Sequence, residues 1–336
     1  MIAGHERAIE QFRRAWDSRS LHHAWLLAGP RGVGKATFAL QAGRRVLAEA
    51  AGPRFDLPGI DTPVYPEDLD EDGNPREHPI AHLVSEGSHP DQRLIERLFN
   101  EKTGKLARNI SVDQIRELGE FMGLTAALSP WRTVVIDPVD DLEREGGNAL
   151  LKMLEEPPPN TIFFLVSHAP GRLLPTIRSR CRRLDFRALD HAAMTSVLER
   201  ILPDLPANER EKLITLSDGS VGRALAFAEL DLTPLEEKAR RILREGDPHN
   251  VSRSELASQL SRKAAADRYT AFLELAPSLV AREARGLPEP QRQRALKAYD
   301  KIRELTAVAP RLSLDPAATV FQIGGILASV APESIP

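Results

Sequence analysis

The feature of this sequence that most constrains its fold is a glycine-rich run between a predicted strand and a predicted helix. Residues 24–28 (AWLLA) predict a short buried strand, and a helix is predicted from about Lys35. The joining run, GPRGVGK, places Gly29, Gly32, Gly34 and Lys35 at the spacing of the first seven positions of a P-loop. Glycines let backbone N–H groups curl around phosphate oxygens, and the lysine reaches the β and γ phosphates. The run therefore predicts a phosphate-binding loop.

Further apolar runs predict the rest of a sheet. Residues 133–136 (TVVI) and 161–166 (TIFFLV) are rich in β-branched and aromatic residues, and they bracket a predicted helix around residues 149–155. Strands that alternate with helices and lack an alternating polar face are typical of a parallel sheet covered on both sides. The fold class predicted for residues 1–187 is therefore α/β with a parallel sheet.

The chain changes character after residue 188, because strand signals stop there while helical periodicity continues. We predict a small helical lid domain over residues 188–232 and an all-α C-terminal domain over residues 233–336. Within the first domain, residues 51–77 are rich in proline, glycine and acidic residues. They are predicted to form an exposed acidic insertion.

The predicted phosphate loop lacks the hydroxyl that normally holds magnesium. The residue after the lysine should be serine or threonine but is Ala36, and Thr37 follows one residue late, roughly 100° around the helix. Two interpretations stay open. The loop is either a degenerate site for ATP or ADP, or an inherited tight turn between strand and helix.

A second departure follows the strand at residues 133–136. Asp137 is placed to support Mg²⁺ through water, but the next residue is Pro138, where a carboxylate would polarise the attacking water. The acidic residues within 140–145 lie beyond the strand end, and we expect them to form a solvated loop and helix start. Together with Ala36, the missing carboxylate predicts very slow or absent ATP hydrolysis by the chain itself.

Charge and composition narrow the function classes. The formal charge of −3 argues against an autonomous nucleic-acid-binding protein, and 5% aromatic residues argue against stacking platforms for single-stranded bases. The single cysteine, Cys181, excludes an internal disulfide and a multi-cysteine zinc site, and it favours a cytoplasmic location. Neither a signal peptide nor a stretch of about 18 apolar residues is present, so no membrane association is predicted.

Two motifs carry a resemblance to a known family. Residues 148–158 are NALLKMLEEPP, and residues 173–181 are LLPTIRSRC. Both runs resemble clamp-loader subunits of the AAA+ superfamily, bacterial and eukaryotic, which share the LLKxLEEPP and Ser-Arg-Cys patterns. The altered P-loop, the Asp-Pro pair at 137–138 and the opening HAWLL at 23–27 are more similar to a subunit that hydrolyses no ATP than to the ATPase subunits gamma and tau.

The resemblance implies an architecture, a role and partners. The implied architecture is a RecA-like AAA+ domain, a helical lid and a C-terminal domain that packs into a collar with other subunits. Arg180, of Ser-Arg-Cys, is implied to be an arginine finger that stabilises γ-phosphate charge on ATP bound by a neighbouring subunit. The implied partners are gamma or tau and delta subunits of DNA polymerase III, with the sliding clamp and primer-template DNA engaged by the assembly.

Further positions resemble sensor and zinc sites of the family. Arg223, in GSVGRAL, matches a second sensor that contacts phosphates in the same chain, and a purely structural role is equally open. Ser167 matches a first sensor, although ending the strand is the favoured role. Family members usually carry four cysteines in a zinc module that this chain lacks. We expect His78, His82 and His89 to be solvated, zinc to be absent and no cofactor to be required.

Three rival functions remain open. A catalytically active AAA+ ATPase, gamma-like or a helicase loader, is opposed by Ala36 and Pro138. A P-loop kinase for a small metabolite lacks the hydroxyl at residue 36 and leaves the Ser-Arg-Cys run unexplained. The third rival is a purely structural scaffold in which Arg180 is idle.

Overall fold

The chain divides into two compact units, Met1–Ala193 and Met194–Pro336. The computed structural model describes residues 3–51, 79–101, 104–310 and 312–332. Apart from residue 51, the predicted acidic insertion lies outside these described residues. The division into three domains, with boundaries after residues 187 and 232, stays a prediction.

The first unit is organised around one parallel sheet of five strands. The sheet has the strand order β2-β5-β6-β1-β7, and β3 and β4 form a separate antiparallel pair. The elements, in chain order, are α1 (Glu6–Asp17), β1 (Ala24–Ala28), α2 (Lys35–Ala51), α3 (Pro79–Ser85), β2 (Gln92–Ile95), β3 (Phe99–Asn100), β4 (Lys105–Leu106), α4 (Val112–Gly123), β5 (Arg132–Ile136), α5 (Arg144–Glu155), β6 (Thr161–Ser167), α6 (Pro175–Ser179) and β7 (Arg182–Asp185).

The central strands are buried on both faces of the sheet. Alternate residues of a strand point to opposite faces. Leu26 and Phe163 belong to the core that α4 and α5 cover, where α5 contributes Leu150. On the other face, the ring of Phe12 from α1 packs edge-on against Trp25, with ring centroids 5.3 Å apart. The predicted α/β fold with a parallel sheet covered on both sides is confirmed.

In the described residues of the second unit, all regular secondary structure is helical. Leu256, Leu260, Leu273 and Leu275 are buried in its own core, whereas Leu296 is 56% exposed. Among the described residues of the whole chain, no helix is long and apolar enough to cross a membrane. The helices are α7 (His191–Ile201), which begins just before the division, α8 (Ala207–Ser217), α9 (Val221–Leu230), α10 (Thr233–Glu245), α11 (Val251–Leu260), α12 (Ala266–Ala284), α13 (Gln291–Val308) and α14 (Pro316–Ala328).

A buried carboxylate joins helices of the second unit. Glu236 of α10 accepts a hydrogen bond from Arg282 Nη2 of α12 at 2.9 Å, and another from Arg240 Nη2. Arg282 Nη1 also donates to Thr215 O, near the end of α8, at 3.1 Å. Burial raises the pKa of Glu236, and the two guanidinium groups oppose that shift. Helix α8 of the predicted lid is thus tied to helices of the predicted C-terminal domain.

Another buried carboxylate fixes the loop that leads into β5. Asp91 Oδ1 accepts from Ala127 N at 2.7 Å, and Oδ2 accepts from Leu128 N at 2.7 Å and Ser129 N at 2.9 Å. Burial by itself would raise the pKa of Asp91, but the backbone donors lower it. This contact sets the start of the strand whose far end carries Asp137.

Replacing Asp91 with asparagine should lower the free energy of unfolding by about 2 kcal/mol, because an amide offers one acceptor oxygen to three buried donors. A folded-state pKa below the unfolded value of about 4 means that the carboxylate stabilises the fold above that pH. The stabilisation is lost as pH falls through the folded pKa. Urea unfolding of wild type and Asp91→Asn should therefore converge in acid.

The matched control for that experiment is Asp113→Asn, which changes a carboxylate that is 74% exposed on α4. Substitution of such an exposed group should change stability by no more than about 0.5 kcal/mol. Equal destabilisation by the two variants at neutral pH would contradict the role given to Asp91.

Candidate functional site

The carboxyl ends of three neighbouring strands meet at one edge of the sheet. Gly29 follows β1, Asp137 follows β5 and Ser167 ends β6. Ligands of open α/β sheets bind outside the carboxyl ends of the strands. The structure therefore brings the predicted phosphate loop and the predicted magnesium-supporting aspartate to the same edge.

The loop needs its glycines for backbone geometry. A Cβ atom on Gly29 would lie 2.0 Å from Phe186 O, so the chain beyond β7 leaves room only for glycine. Gly32 and Gly34 have φ angles of 74° and 101°, which side chains rarely tolerate. No heavy atom lies within 4 Å of a Cβ placed on Gly34, so this side of the loop is open. The loop thus has a P-loop shape, which both the degenerate site and the tight turn predict.

Lys35 is folded back onto the loop that carries it. Its Nζ donates to Gly29 O at 2.8 Å and to Pro30 O, and the residue is 3% exposed. Burial lowers the pKa of Lys35 to about 8, while the carboxylates of Asp137 and Asp140 act in the opposite direction. For Asp137, burial acts on an acidic group and therefore raises the pKa, and Lys35 opposes that shift. The ammonium donates here to carbonyl groups of its own loop.

The residues around the metal position offer little to a magnesium ion. Ala36, at the start of α2, has no hydroxyl, and Thr37 in the next position is exposed. Pro138 follows Asp137 directly, so the position beside this aspartate carries no carboxylate. Carboxylate and hydroxyl oxygens are the protein ligands that magnesium prefers. Asp137 is the acidic group that this edge retains at the end of β5.

Asp140 is not the solvated acid that the sequence led us to expect. Its Oδ1 accepts from Ser167 Oγ at 2.9 Å and from Ala169 N at 3.1 Å, and its Oδ2 accepts from His168 N at 2.6 Å. The prediction of a solvated loop is therefore wrong for this residue. The folding of β6 beside β5 supplies these donors, which no local sequence signal announces. The hydroxyl of the first-sensor residue, Ser167, is engaged with a carboxylate of the same chain.

Sequence reasoning also missed two histidines beside the loop. His5 Nε2 lies 2.6 Å from Val33 O and donates to it, which holds the loop to the residue that precedes α1. Burial, together with the charge of Lys35, lowers the pKa of His168 to about 4, so this ring is neutral at pH 7. A signal for His168 was available, because it directly follows the sensor residue Ser167.

Arg180 lies at the opposite edge of the sheet from the phosphate loop. Strands β1 and β7 are parallel, with Trp25 opposite Arg182 and Ala28 opposite Asp185. Arg180 comes two residues before β7, whereas Gly29 comes directly after β1. At about 3.3 Å per residue, this register separates the two along the strand direction by about 20 Å. The guanidinium is therefore remote from any phosphate held by the loop of its own chain.

The guanidinium of Arg180 is held by two neighbouring segments. Its Nη1 donates to Thr176 O in α6 at 2.9 Å, and its Nη2 lies 2.7 Å from Glu155 Oε1 at the end of α5. The side chain stays 33% exposed. Burial raises the pKa of the adjacent thiol, Cys181, to about 12, so this cysteine is a packed thiol.

Arg223 has partners within the second unit. It donates to Asp218 Oδ2 at 3.1 Å, to Leu216 O at 3.3 Å and to Ser278 Oγ of α12 at 3.0 Å. These contacts fit the structural role that sequence reasoning left open, since they join the end of α8 to α12. Contact of Arg223 with a nucleotide stays a prediction.

The histidines of the predicted zinc-free region differ in burial. His78 lies outside the described residues. His89 is 2% exposed, and its Nδ1 accepts from Asp91 N at 3.1 Å, so the expectation of a solvated side chain is wrong there. The loop around Asp91 encloses this ring. The absence of zinc stays a prediction.

Comparisons with known sequences indicate the same family of proteins that the two motifs resemble. Residues 68–190 match the family model described as DNA polymerase III, delta subunit. The chain is 36% identical over 198 residues to DNA polymerase III subunit delta' of Pseudomonas aeruginosa, an alignment that covers 59% of this chain and 53% of that protein. It is 29% identical to subunit gamma of Buchnera aphidicola, with 68% of this chain and 56% of that protein covered. The chain thus spans about half the length of these relatives.

Solved structures with a similar fold include a DNA polymerase III gamma subunit-related protein from Thermotoga maritima, with a TM-score of 0.45 at 18% identity over 95% of this chain and 98% of that one. They also include the RuvB Holliday junction branch migration motor of Thermotoga maritima, with a TM-score of 0.42 at 16% identity over 96% and 87% of the two chains.

The fold and the loop together define a class of protein. A parallel sheet whose strand β1 runs into a P-loop-like turn, followed by helical segments, makes this a protein with a P-loop α/β fold. The delta and gamma relatives narrow the class further. The chain belongs to the clamp-loader family of DNA polymerase III.

The charge state of Lys35 gives a test of this site. The pKa of Lys35, about 8 in the wild type, should fall further in Asp137→Asn, because the substitution removes a carboxylate that favours the ammonium form. Since the folded pKa lies below the unfolded value of about 10.4, stability should rise with pH between the two values. An NMR titration of the Lys35 side chain measures the shift, with Asp113→Asn as control. A wild-type pKa near 10.4, or no change in Asp137→Asn, would contradict this description of the loop.

Proposed function

We propose that this chain is the delta-prime subunit of a bacterial clamp loader. In this role it helps load the sliding clamp onto primed DNA and supplies Arg180 to ATP bound by a neighbouring subunit, while hydrolysing little or no ATP itself. Support comes from the family membership, from the 36% identity to a delta' subunit and from the two motifs around residues 148–158 and 173–181.

The observation that carries the proposal is the position of Arg180. Register places it about 20 Å along the sheet from the phosphate loop, so it has no access to a nucleotide in its own chain. A guanidinium is always charged and presents paired N–H donors to phosphate oxygens. Such a group delivered from a neighbouring subunit raises phosphoryl-transfer rates by about 10³–10⁵. A partly exposed arginine on the far edge of a P-loop domain is suited to that delivery.

The residues at the carboxyl edge of the sheet support weak or absent ATP hydrolysis by this chain. Hydrolysis needs a magnesium hydroxyl ligand and a carboxylate that orients water, and Ala36 and Pro138 stand at those positions. Asp140, the next carboxylate along the chain, is already the acceptor for Ser167 Oγ and two backbone N–H groups. A carboxylate whose oxygens already accept from three donors of its own chain is poorly placed to orient an attacking water.

The proposal extends to cofactors, partners and location. No cofactor is required, ATP or ADP is at most a weak ligand of the degenerate loop, and zinc plays no part. The partners are gamma or tau and delta subunits, with the clamp and primer-template DNA reached through the assembly. We expect the chain to act in DNA replication, and we place it in the cytoplasm.

The isolated chain should show no magnesium-dependent ATP turnover above background, because both the metal hydroxyl and the water-orienting carboxylate are missing. Release of phosphate from ATP at saturating magnesium is the measurement, with a gamma or tau subunit as the active reference. Substantial turnover by this chain that persists through further purification would instead support a catalytically active ATPase.

In a reconstituted loader, Arg180→Ala should slow the phase of phosphate release that belongs to the neighbouring site by about 10³-fold or more. The matched control is Arg178→Ala, which removes an exposed arginine from α6, the short helix that ends just before Arg180. Both variants must first be shown to assemble as the wild type does. Unchanged phosphate release in Arg180→Ala would reduce the chain to a structural scaffold.

A further inference from the structure

The ion pair between Arg180 and Glu155 links the two motifs that identify the family. Arg180 belongs to the Ser-Arg-Cys run, and Glu155 is the first glutamate of the LLKMLEEPP run. Their side chains meet at 2.7 Å, between Nη2 and Oε1. We propose that Glu155 is a positioning residue that aligns the Arg180 guanidinium for the ATP site of the neighbouring subunit. The proposal rests on the finger role of Arg180 given above.

The two contacts fix the guanidinium while leaving it donors to spare. Thr176 O accepts from Nη1, and Glu155 Oε1 accepts from Nη2. A guanidinium has five N–H donors in a planar fork, so two contacts leave others for phosphate oxygens. The side chain stays 33% exposed, so its own chain does not enclose it. Glu155 and the phosphate can therefore bind the same guanidinium at once.

The position of Glu155 is set by helix α5 and its anchor. The helix starts at Arg144, after the loop that follows Asp137, and runs back to the opposite edge of the sheet, where it ends at Glu155. His23 Nε2 lies 3.0 Å from Leu154 O and donates to it, which ties this end of α5 to the residue before β1. The Glu155 carboxylate is therefore carried by the end of a packed helix, and that end is anchored to the residue before β1.

The chemistry of a helix end indicates that Glu155 is not there to stabilise α5. The carboxyl end of a helix carries partial negative charge, so a carboxylate in the last turn is unfavourable. The pair is also too exposed to contribute much to folding, with 49% of the Glu155 side chain accessible. What the pair does restrict is the rotamer freedom of a long arginine. Preorganising a group for the transition state raises the rate, because the ordering is complete before the reaction.

The experiment measures phosphate release at saturating ATP, in the reconstituted loader, in the phase that Arg180→Ala slows. Glu155→Ala should slow that phase about tenfold without a matching change in its dependence on ATP concentration, since misplacing a catalytic group lowers the rate of the step itself. Glu155→Gln, which keeps a hydrogen-bond acceptor, should fall between Glu155→Ala and wild type. Glu156→Ala, at the exposed neighbouring position, should behave as wild type.

A double variant separates positioning from a structural effect. Adding Glu155→Ala to Arg180→Ala should slow release no further, because a positioning residue acts only through the group that it positions. Thermal unfolding and assembly of Glu155→Ala should match those of the wild type, as expected for an exposed pair.

The outcomes distinguish this inference from the function on which it rests. If Arg180→Ala slows release but Glu155→Ala leaves it unchanged, only the positioning role is overturned. If Glu155→Ala accelerates release, the ion pair restrains the finger and does not align it, which also overturns the role. If Arg180→Ala has no effect, the finger itself is absent and both proposals fail.

Discussion

The parallel arrangement of the sheet is the constraint on which the rest of this structure depends. All paired strands of the five-stranded sheet run the same way, so whatever follows a strand lies at one edge and whatever precedes it lies at the other. Gly29 and Asp137 follow strands, and Arg180 precedes one. The P-loop-like turn and Arg180 are thereby separated by about the length of a strand. A separation of this kind suits a protein that presents its arginine to a neighbour.

At the carboxyl edge, Lys35 and Asp140 find their hydrogen-bond partners within the chain. The Lys35 ammonium donates to carbonyl groups of its own loop, and Asp140 accepts from Ser167 and the following backbone. Buried polar groups left without partners would cost free energy, and these internal hydrogen bonds avoid that cost. The loop requires its glycines, because Gly29 has no space for a side chain and Gly34 has a positive φ.

In the helical unit, arginines serve as connectors. Arg223 joins the end of α8 to Ser278 of α12, and Arg282 joins Thr215 to the buried Glu236. Both guanidiniums donate near the carboxyl end of α8, where backbone carbonyl groups lack helical partners and cations are favourable. The sensor-like sequence around Arg223 therefore has a packing function in this unit.

The sequence by itself determined the class of the fold, the family and the residues of the loop. Those features have local signatures: strands of unbroken apolar residues, the spacing of Gly29 to Lys35, the replacements Ala36 and Pro138, and two motifs of consecutive residues. The tertiary structure alone decided which polar groups meet. The Asp140 cluster, the burial of His89, and the pairing of Glu155 with Arg180 each join residues that strand pairing or loop packing brings together. No local pattern encodes such pairs, because their geometry depends on the register between distant segments.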